Sequence, residues 1–362
     1  MGRILVFGAT GYTGDLTARR LVADGERPVL VARRPEAVRA LADELGGLDV
    51  AVADASDEAA LAAAVEPGDV LVATVGPFLR HGRTAAEVAA GTGAHYLDST
   101  GEGSFIREVF ERWGPVAAEH GSAMVPAFGF DYVPGSLAGA LALEQAGPDA
   151  VRVDVAYFAF HFGTSAGTKA SIAGMTLEEG FRWRDGGLRP ERAAREVRRF
   201  DVDGRSLTGV SIPGAEHLAL PAAYPRLREV GVYLGIPPLV ARTLAVGSLL
   251  STPARRIGAL KRAGSAGIGK VVKGSTGGPG AEVRARARCA VVGEARSASG
   301  EVLATVTLRG PDPYDYTAGI LAWGARTAAA GGLQGSGALG PVGAFGLEAL
   351  RTGCEEAGLT VG

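Results

Sequence analysis

Near the start of the chain the apolar run Ile4-Leu5-Val6-Phe7 stops at Gly8-Ala9-Thr10-Gly11-Tyr12-Thr13-Gly14, and a helical pattern follows at once. No other feature of the sequence limits the fold as tightly. Glycines three residues apart let the backbone turn sharply out of a strand and let its N–H groups approach an anion, which then rests on the positive end of the next helix. Strand, glycine turn and helix in this order open a βαβ unit. The pattern therefore predicts a parallel sheet and a dinucleotide pyrophosphate site.

The rest of the first third keeps the same rhythm. Strand-like runs at 3–7, 28–32, 48–53, 70–75, 95–99 and 122–127 alternate with amphipathic helical patterns at 13–23, 36–45, 57–65, 84–90 and 105–119. Short right-handed connections between them give an α/β, doubly wound parallel Rossmann sheet covered on both faces, expected over residues 1–130. Beyond that the texture changes to an α+β pattern, read as a substrate domain over 131–314. It has helical signals at 136–145 and 168–179, a strand at 150–160, a hairpin turning at Asp203-Gly204, and long strands at 281–294 and 301–309. A helix at 315–329 opens a C-terminal segment, 315–362, expected to pack back on the first domain. A length of 362 residues suits two domains.

Composition narrows the function classes. Lys and Arg number 37 against 39 Asp and Glu, a formal net charge of −2, which gives no basic surface for nucleic acid. Cys289 and Cys354 stand far apart, without metal-ligand spacing, so no metal site is expected and a reducing, cytoplasmic setting is. No signal peptide is visible, and the most apolar stretch, 231–250, is interrupted by Pro237, Pro238 and Arg242, so no transmembrane segment is expected.

Within the glycine turn, Gly8, Thr10, Gly11, Tyr12, Thr13 and Gly14 are the candidate cofactor-binding residues. At the end of the second strand a carboxylate would bind ribose hydroxyls and repel a 2′-phosphate. Arg33 and Arg34 stand there instead, and guanidinium groups pair with a phosphate, so the expected cofactor is NADP(H). Asp54, ending the third strand, reads either as a partner of the adenine amino group or as a helix-entry residue before Ser56. Val75, Gly76, Pro77 and Phe78 follow the fourth strand and Gly101 the fifth, at the strand ends where open α/β sheets bind ligands.

Taken together, Gly8–Gly14, Val75–Phe78, Tyr96-Leu97-Asp98-Ser99-Thr100-Gly101-Glu102 and Gly129-Phe130-Asp131-Tyr132-Val133-Pro134 resemble the saccharopine dehydrogenase-like oxidoreductases, and within them the trans-acting enoyl reductase branch. Fainter likeness returns at 163–171 and at Asp312-Pro313-Tyr314. The resemblance implies an N-terminal Rossmann domain, a second domain carrying the substrate pocket and a nicotinamide cofactor. Where the branch commonly has Ser-x-Pro-Ser-Asp after Gly-Phe-Asp, this chain has Tyr132-Val133-Pro134-Gly135-Ser136, losing two polar side chains and gaining a phenol.

Other motifs carry less. Gly163–Gly167 spells GxSxG, but a nucleotide-type βαβ already opens the chain. Gly264–Lys270 approaches a P-loop, with Val271 in place of the metal-binding hydroxyl. None of the eight tyrosines has the Lys spacing of short-chain dehydrogenases. Acid/base candidates are Asp131 and Tyr132, then His161 and Lys169. An acid-free stretch between Glu229 and Glu282 holds seven basic residues from Arg242 to Lys273, including Arg255 and Arg256. It reads as a solvated loop or as a docking face for an acidic carrier protein or a membrane. The expected activity is NADPH-dependent reduction of an enoyl-type C=C bond in a small-molecule or acyl substrate, free or carrier-bound, with a homodimer the expected assembly. The alternatives are C=N reduction and a non-catalytic NADP-binding sensor.

Overall fold

The computed structural model describes residues 2–164, 180–245 and 277–362. Lys169, the helical signal at 168–179, the P-loop-like Gly264–Lys270 and the basic residues from Arg255 to Lys273 lie outside the described residues. The chain divides into two compact units, Met1–Val133 with Pro313–Leu359, and Pro134–Asp312 with Thr360–Gly362.

The first unit is a doubly wound α/β layer. Its strands are β1 (Ile4–Phe7), β2 (Val29–Ala32), β3 (Val50–Val52), β4 (Val70–Ala73), β5 (His95–Asp98) and β6 (Ala123–Val125). Between them run α1 (Tyr12–Ala23), α2 (Pro35–Glu44), α3 (Glu58–Ala62), α4 (Phe78–His81), α5 (Arg83–Thr92), α6 (Gly103–Glu108) and α7 (Gly114–Glu119). All strand pairs are parallel in the order β6-β5-β4-β1-β2-β3, so the winding reverses between β1 and β4. The strands read as near-continuous apolar runs because helices cover both faces. Leu5, Phe7, Val31, Leu71 and Ala73 form one buried cluster with Phe105 and Trp113 from the helical layer.

Two local details depart from the sequence reading. The run after Pro77 supplies its own short helix, α4, capped by no side chain of its own N-cap residue. The long pattern at 105–119 is broken at Val109–Trp113 by a wide turn in which Gly114 N–H reaches back to the Val109 carbonyl. Pro115 explains the break, since it lacks an N–H and its ring crowds the carbonyl one turn earlier.

The second unit is built on a mixed sheet. It begins with α8 (Val133–Ala146), β7 (Arg152–Phe160) and the small hairpin β8 (Phe181–Arg184) and β9 (Gly187–Pro190). There follow β10 (Val197–Val202), β11 (Arg205–Ser211), α9 (Glu216–Ala223), β12 (Glu229–Gly235), a helix over 238–245, α10 (Ala281–Arg286), β13 (Arg288–Arg296) and β14 (Val302–Gly310). Residues 281–286, expected as strand, are helical. Gly280 opens that helix, Glu282 lies in its first turn and Arg284 and Arg286 in its last, the arrangement the helix dipole favours.

The C-terminal segment gives the first unit α11 (Pro313–Ala329), β15 (Gly337–Ala338), α12 (Pro341–Phe345) and α13 (Leu347–Glu356). β15 pairs in parallel with β6 as a seventh strand, and α11 packs on α1. The last strand, β16 (Thr360–Val361), pairs with β14, completing the second sheet as β10-β11-β12-β7-β13-β14-β16. Among the described residues no helix is long and apolar enough to cross a membrane.

Candidate active site

Because the first sheet is wholly parallel, the carboxyl ends of its strands open on one edge, and the reversal between β1 and β4 leaves a crevice there. Gly8, at φ 91°, opens the loop after β1. A Cβ on Gly8 would stand 2.8 Å from Thr74 Oγ1, and one on Gly14 would overlap the Gly8 carbonyl oxygen and approach Thr74 Oγ1 to 2.7 Å. These contacts leave no room for a side chain. The loop is also tied to β2, since the N–H groups of Gly8 and Ala9 donate to the Val31 carbonyl at 2.9 and 3.2 Å. Gly11 caps α1 without a side-chain acceptor, leaving the first N–H groups of the helix directed at the crevice.

At the end of β2, Arg33 and Arg34 are exposed, and among the described residues neither makes a salt bridge. Asp54 does not project freely. Its carboxylate accepts the Ser56 hydroxyl at 2.6 Å and the Ser56 N–H at 3.0 Å, which hold its pKa below the usual range, with Arg33 adding a smaller pull. The cap of α3 is Asp57, which accepts the Ala60 N–H at 3.0 Å.

Three further strand ends are knitted together by the segment 98–102. The Oδ1 of Asp98 accepts the Thr100 N–H at 2.9 Å and the Ala127 N–H at 2.8 Å, and Thr100 Oγ1 accepts the Glu102 N–H at 3.1 Å. Glu102 in turn reaches the loop after β4, where the Phe78 and Leu79 N–H groups donate to its two oxygens at 2.8 and 3.0 Å. Val75 and Pro77 are half-buried, Gly76 is exposed and Phe78 is buried. Gly101 lies against Asp131, whose Oδ2 is 3.0 Å from where a Cβ on Gly101 would be, and the Tyr132 hydroxyl donates to the Gly101 carbonyl at 3.1 Å. Asp131 keeps an exposed face, and the protein crowded around its carboxyl pushes the pKa up, to about 6.

Asp98 is fully buried, and loss of water drives its pKa up to about 7, against the pull of the two N–H donors. A carboxyl that holds its proton more tightly when folded stabilises the fold fully below its unfolded pKa of about 4, and that contribution is lost as pH rises through about 7. Asp98→Asn keeps the Oδ1 acceptor and cannot ionise. Wild type is therefore expected to lose stability relative to this variant by on the order of 2–4 kcal/mol between about pH 4 and pH 8, measured by denaturant melts of both proteins. Parallel curves for the two proteins would contradict the buried acid.

Residues 4–122 match a family model described as the saccharopine dehydrogenase NADP binding domain. A trans-acting enoyl reductase of Mycobacterium ulcerans is 37% identical over 140 residues, 37% of this chain and 34% of that one. Another trans-acting enoyl reductase, of Mycobacterium tuberculosis, is 35% identical over the same shares. The match thus spans about a third of the length of these curated relatives. The structure is similar to apo saccharopine dehydrogenase (L-Glu forming) of Saccharomyces cerevisiae, with a TM-score of 0.62 over all of both chains and 12% identity, a likeness of fold.

The features of the first unit fit NADP, the cofactor named in that family model. The close packing at Gly8 and Gly14 holds the turn against the sheet edge so that the first N–H groups of α1 meet the place of a pyrophosphate, and Arg33 and Arg34 make no salt bridge among the described residues. Of the four acid/base candidates, Asp131 and Tyr132 belong to the first unit and adjoin Gly101. His161 is in the second unit, exposed, just past β7 at φ 53°. Lys169 lies outside the described residues. Among the described residues no group of His, Cys, Asp and Glu is arranged to hold a metal ion. Sequence reasoning quoted Glu102 as part of a motif but missed its contacts. Its burial beside a Thr-Gly turn gives no sign of a partner 24 positions away.

Proposed function

We propose that the protein is an NADPH-dependent reductase that adds hydride to the β-carbon of an activated C=C bond in an enoyl-type acyl or polyketide intermediate, free or carrier-bound. The observation that carries the cofactor half is the reversal between β1 and β4 with the glycine turn at its edge, while at the end of β2 Arg33 and Arg34 are exposed and make no salt bridge among the described residues. The substrate half is supported by the trans-acting enoyl reductases the chain is similar to. Bound NADPH would supply the hydride. The first N–H groups of α1 would hold its pyrophosphate, Arg33 and Arg34 its 2′-phosphate, and Val75–Phe78 with Gly101 the nicotinamide side. Asp131, with its raised pKa, is the proton donor we favour for the α-carbon, because the Tyr132 hydroxyl is already donated to Gly101.

Reduction of a C=N bond in a substrate rich in carboxylates would call for arginines free to receive them. In the second unit Arg152, Arg182, Arg184, Arg195 and Arg296 each meet an Asp or Glu within 3.0 Å, and Arg198 pairs with Asp154 and Glu294. Those six are engaged, while Arg189, Arg199 and Arg228 make no salt bridge among the described residues, so it is the similarity to enoyl reductases that favours the C=C reading. The test is incubation with NADPH and a trans-2-enoyl thioester. Substrate-dependent NADPH oxidation with formation of the saturated thioester is expected. Tight NADPH binding without turnover of enoyl or imine substrates would replace the reading with that of a sensor.

A further inference from the structure

The loop after β4 lies at the edge of the cofactor crevice, and its turn into α4 supplies no side-chain cap of its own. Pro77 has neither an N–H nor a side-chain acceptor to offer, and it stands at the N-cap of α4, where the first helical N–H groups have no internal partner. Glu102 supplies what is missing from across the sheet edge. It is 3% exposed, and its two oxygens each take one N–H, from Phe78 and from Leu79. On its other side the β4 loop is held by Thr74, whose hydroxyl donates to the Phe7 carbonyl at 3.0 Å and packs where Cβ atoms of Gly8 and Gly14 would otherwise be. The residue before Glu102 is Gly101, the neighbour of Asp131 and acceptor for Tyr132. One carboxylate therefore ties the start of α4, just past the β4 loop, to the segment whose Gly101 adjoins the candidate proton donor.

We propose that Glu102 is a positioning residue, a latch that sets the nicotinamide side of the crevice while leaving the adenosine side to β2. The proposal rests on the cofactor reading above. In a dinucleotide laid across the reversal, the pyrophosphate sits at α1, the adenosine half runs toward β2 and the nicotinamide half toward β4. A latch at β4 acts on one half only, whereas a generally destabilising change acts on both. Glu102→Gln is the discriminating variant, since an amide offers one acceptor oxygen and presents an NH₂ group to the second backbone N–H.

Titration of wild type and Glu102→Gln with NADPH, and separately with adenosine 2′,5′-bisphosphate, which lacks the nicotinamide half, decides the matter. NADPH affinity is expected to fall about tenfold or more, with affinity for the bisphosphate unchanged within about twofold. Thr100→Val, which removes only the acceptor for the Glu102 N–H, should give the same split more weakly, and it serves if Glu102→Gln does not fold. Equal loss of both ligands, or loss of neither, overturns the latch while leaving the cofactor reading intact. Failure of wild type to bind either ligand overturns both.

Discussion

Gly14→Ala is expected to lower NADPH affinity by on the order of a hundredfold, the larger of the losses expected from a single methyl group in this protein. The added Cβ overlaps the carbonyl oxygen of Gly8 and comes within 2.7 Å of Thr74 Oγ1. Neither neighbour can yield cheaply. The Gly8 carbonyl accepts the Gly11 N–H at 2.8 Å, and Thr74 is anchored on Phe7. The relief available is a shift of α1 away from β1, which carries the helix N-terminus away from the pyrophosphate it would hold. Gly25→Ala is the control, because Gly25 follows the other end of the same helix at φ 91° with nothing within 4 Å. It should cost about 1 kcal/mol of stability through backbone strain and leave NADPH affinity unchanged. Isothermal titration of both variants, with melts in parallel, separates strain from lost binding. A Gly14→Ala protein that binds NADPH within about threefold of wild type would show that the pyrophosphate does not rest on this turn.

The strands that bound this crevice were legible because each is a short apolar run flanked by a helix signal, and burial on both faces makes such runs continuous. The second unit was harder to read. β12 (Glu229–Gly235) and the β8–β9 hairpin contain glycines and arginines where an isolated strand would carry β-branched residues. Gly235 is there because a Cβ would run into the Phe158 ring of the neighbouring strand β7, a reason visible only once the strands are paired. At 281–286 Ala281, Val283 and Ala285 alternate with Glu282, Arg284 and Arg286 as in a strand, while Gly280 and the charge order spell a helix. Of the site, local motifs announced the glycine turn and the arginine pair. Asp98 and Glu102 work through contacts to residues 24 and 29 positions away, and no local pattern encodes those partners.

Cofactor preference should turn on two exposed side chains. The double substitution Arg33→Asp with Arg34→Ser is expected to shift the ratio of NADPH to NADH affinity by on the order of a thousandfold, since each charge-assisted pair with the 2′-phosphate contributes about 1.5–3 kcal/mol. Losing both pairs weakens NADPH, and the new carboxylate repels the phosphate while offering ribose hydroxyls an acceptor. In wild type Ser56 holds the Oδ1 oxygen of Asp54 through both its N–H and its hydroxyl. Folding should be indifferent to the change, as both arginines are exposed and neither makes a salt bridge among the described residues. Salt gives an independent readout. In wild type, NADPH affinity should fall more steeply with ionic strength than NADH affinity, and in the double variant the two dependences should converge. If the ratio and the salt dependence both stay at wild-type values, the 2′-phosphate is held elsewhere and the arginines after β2 do not select the cofactor.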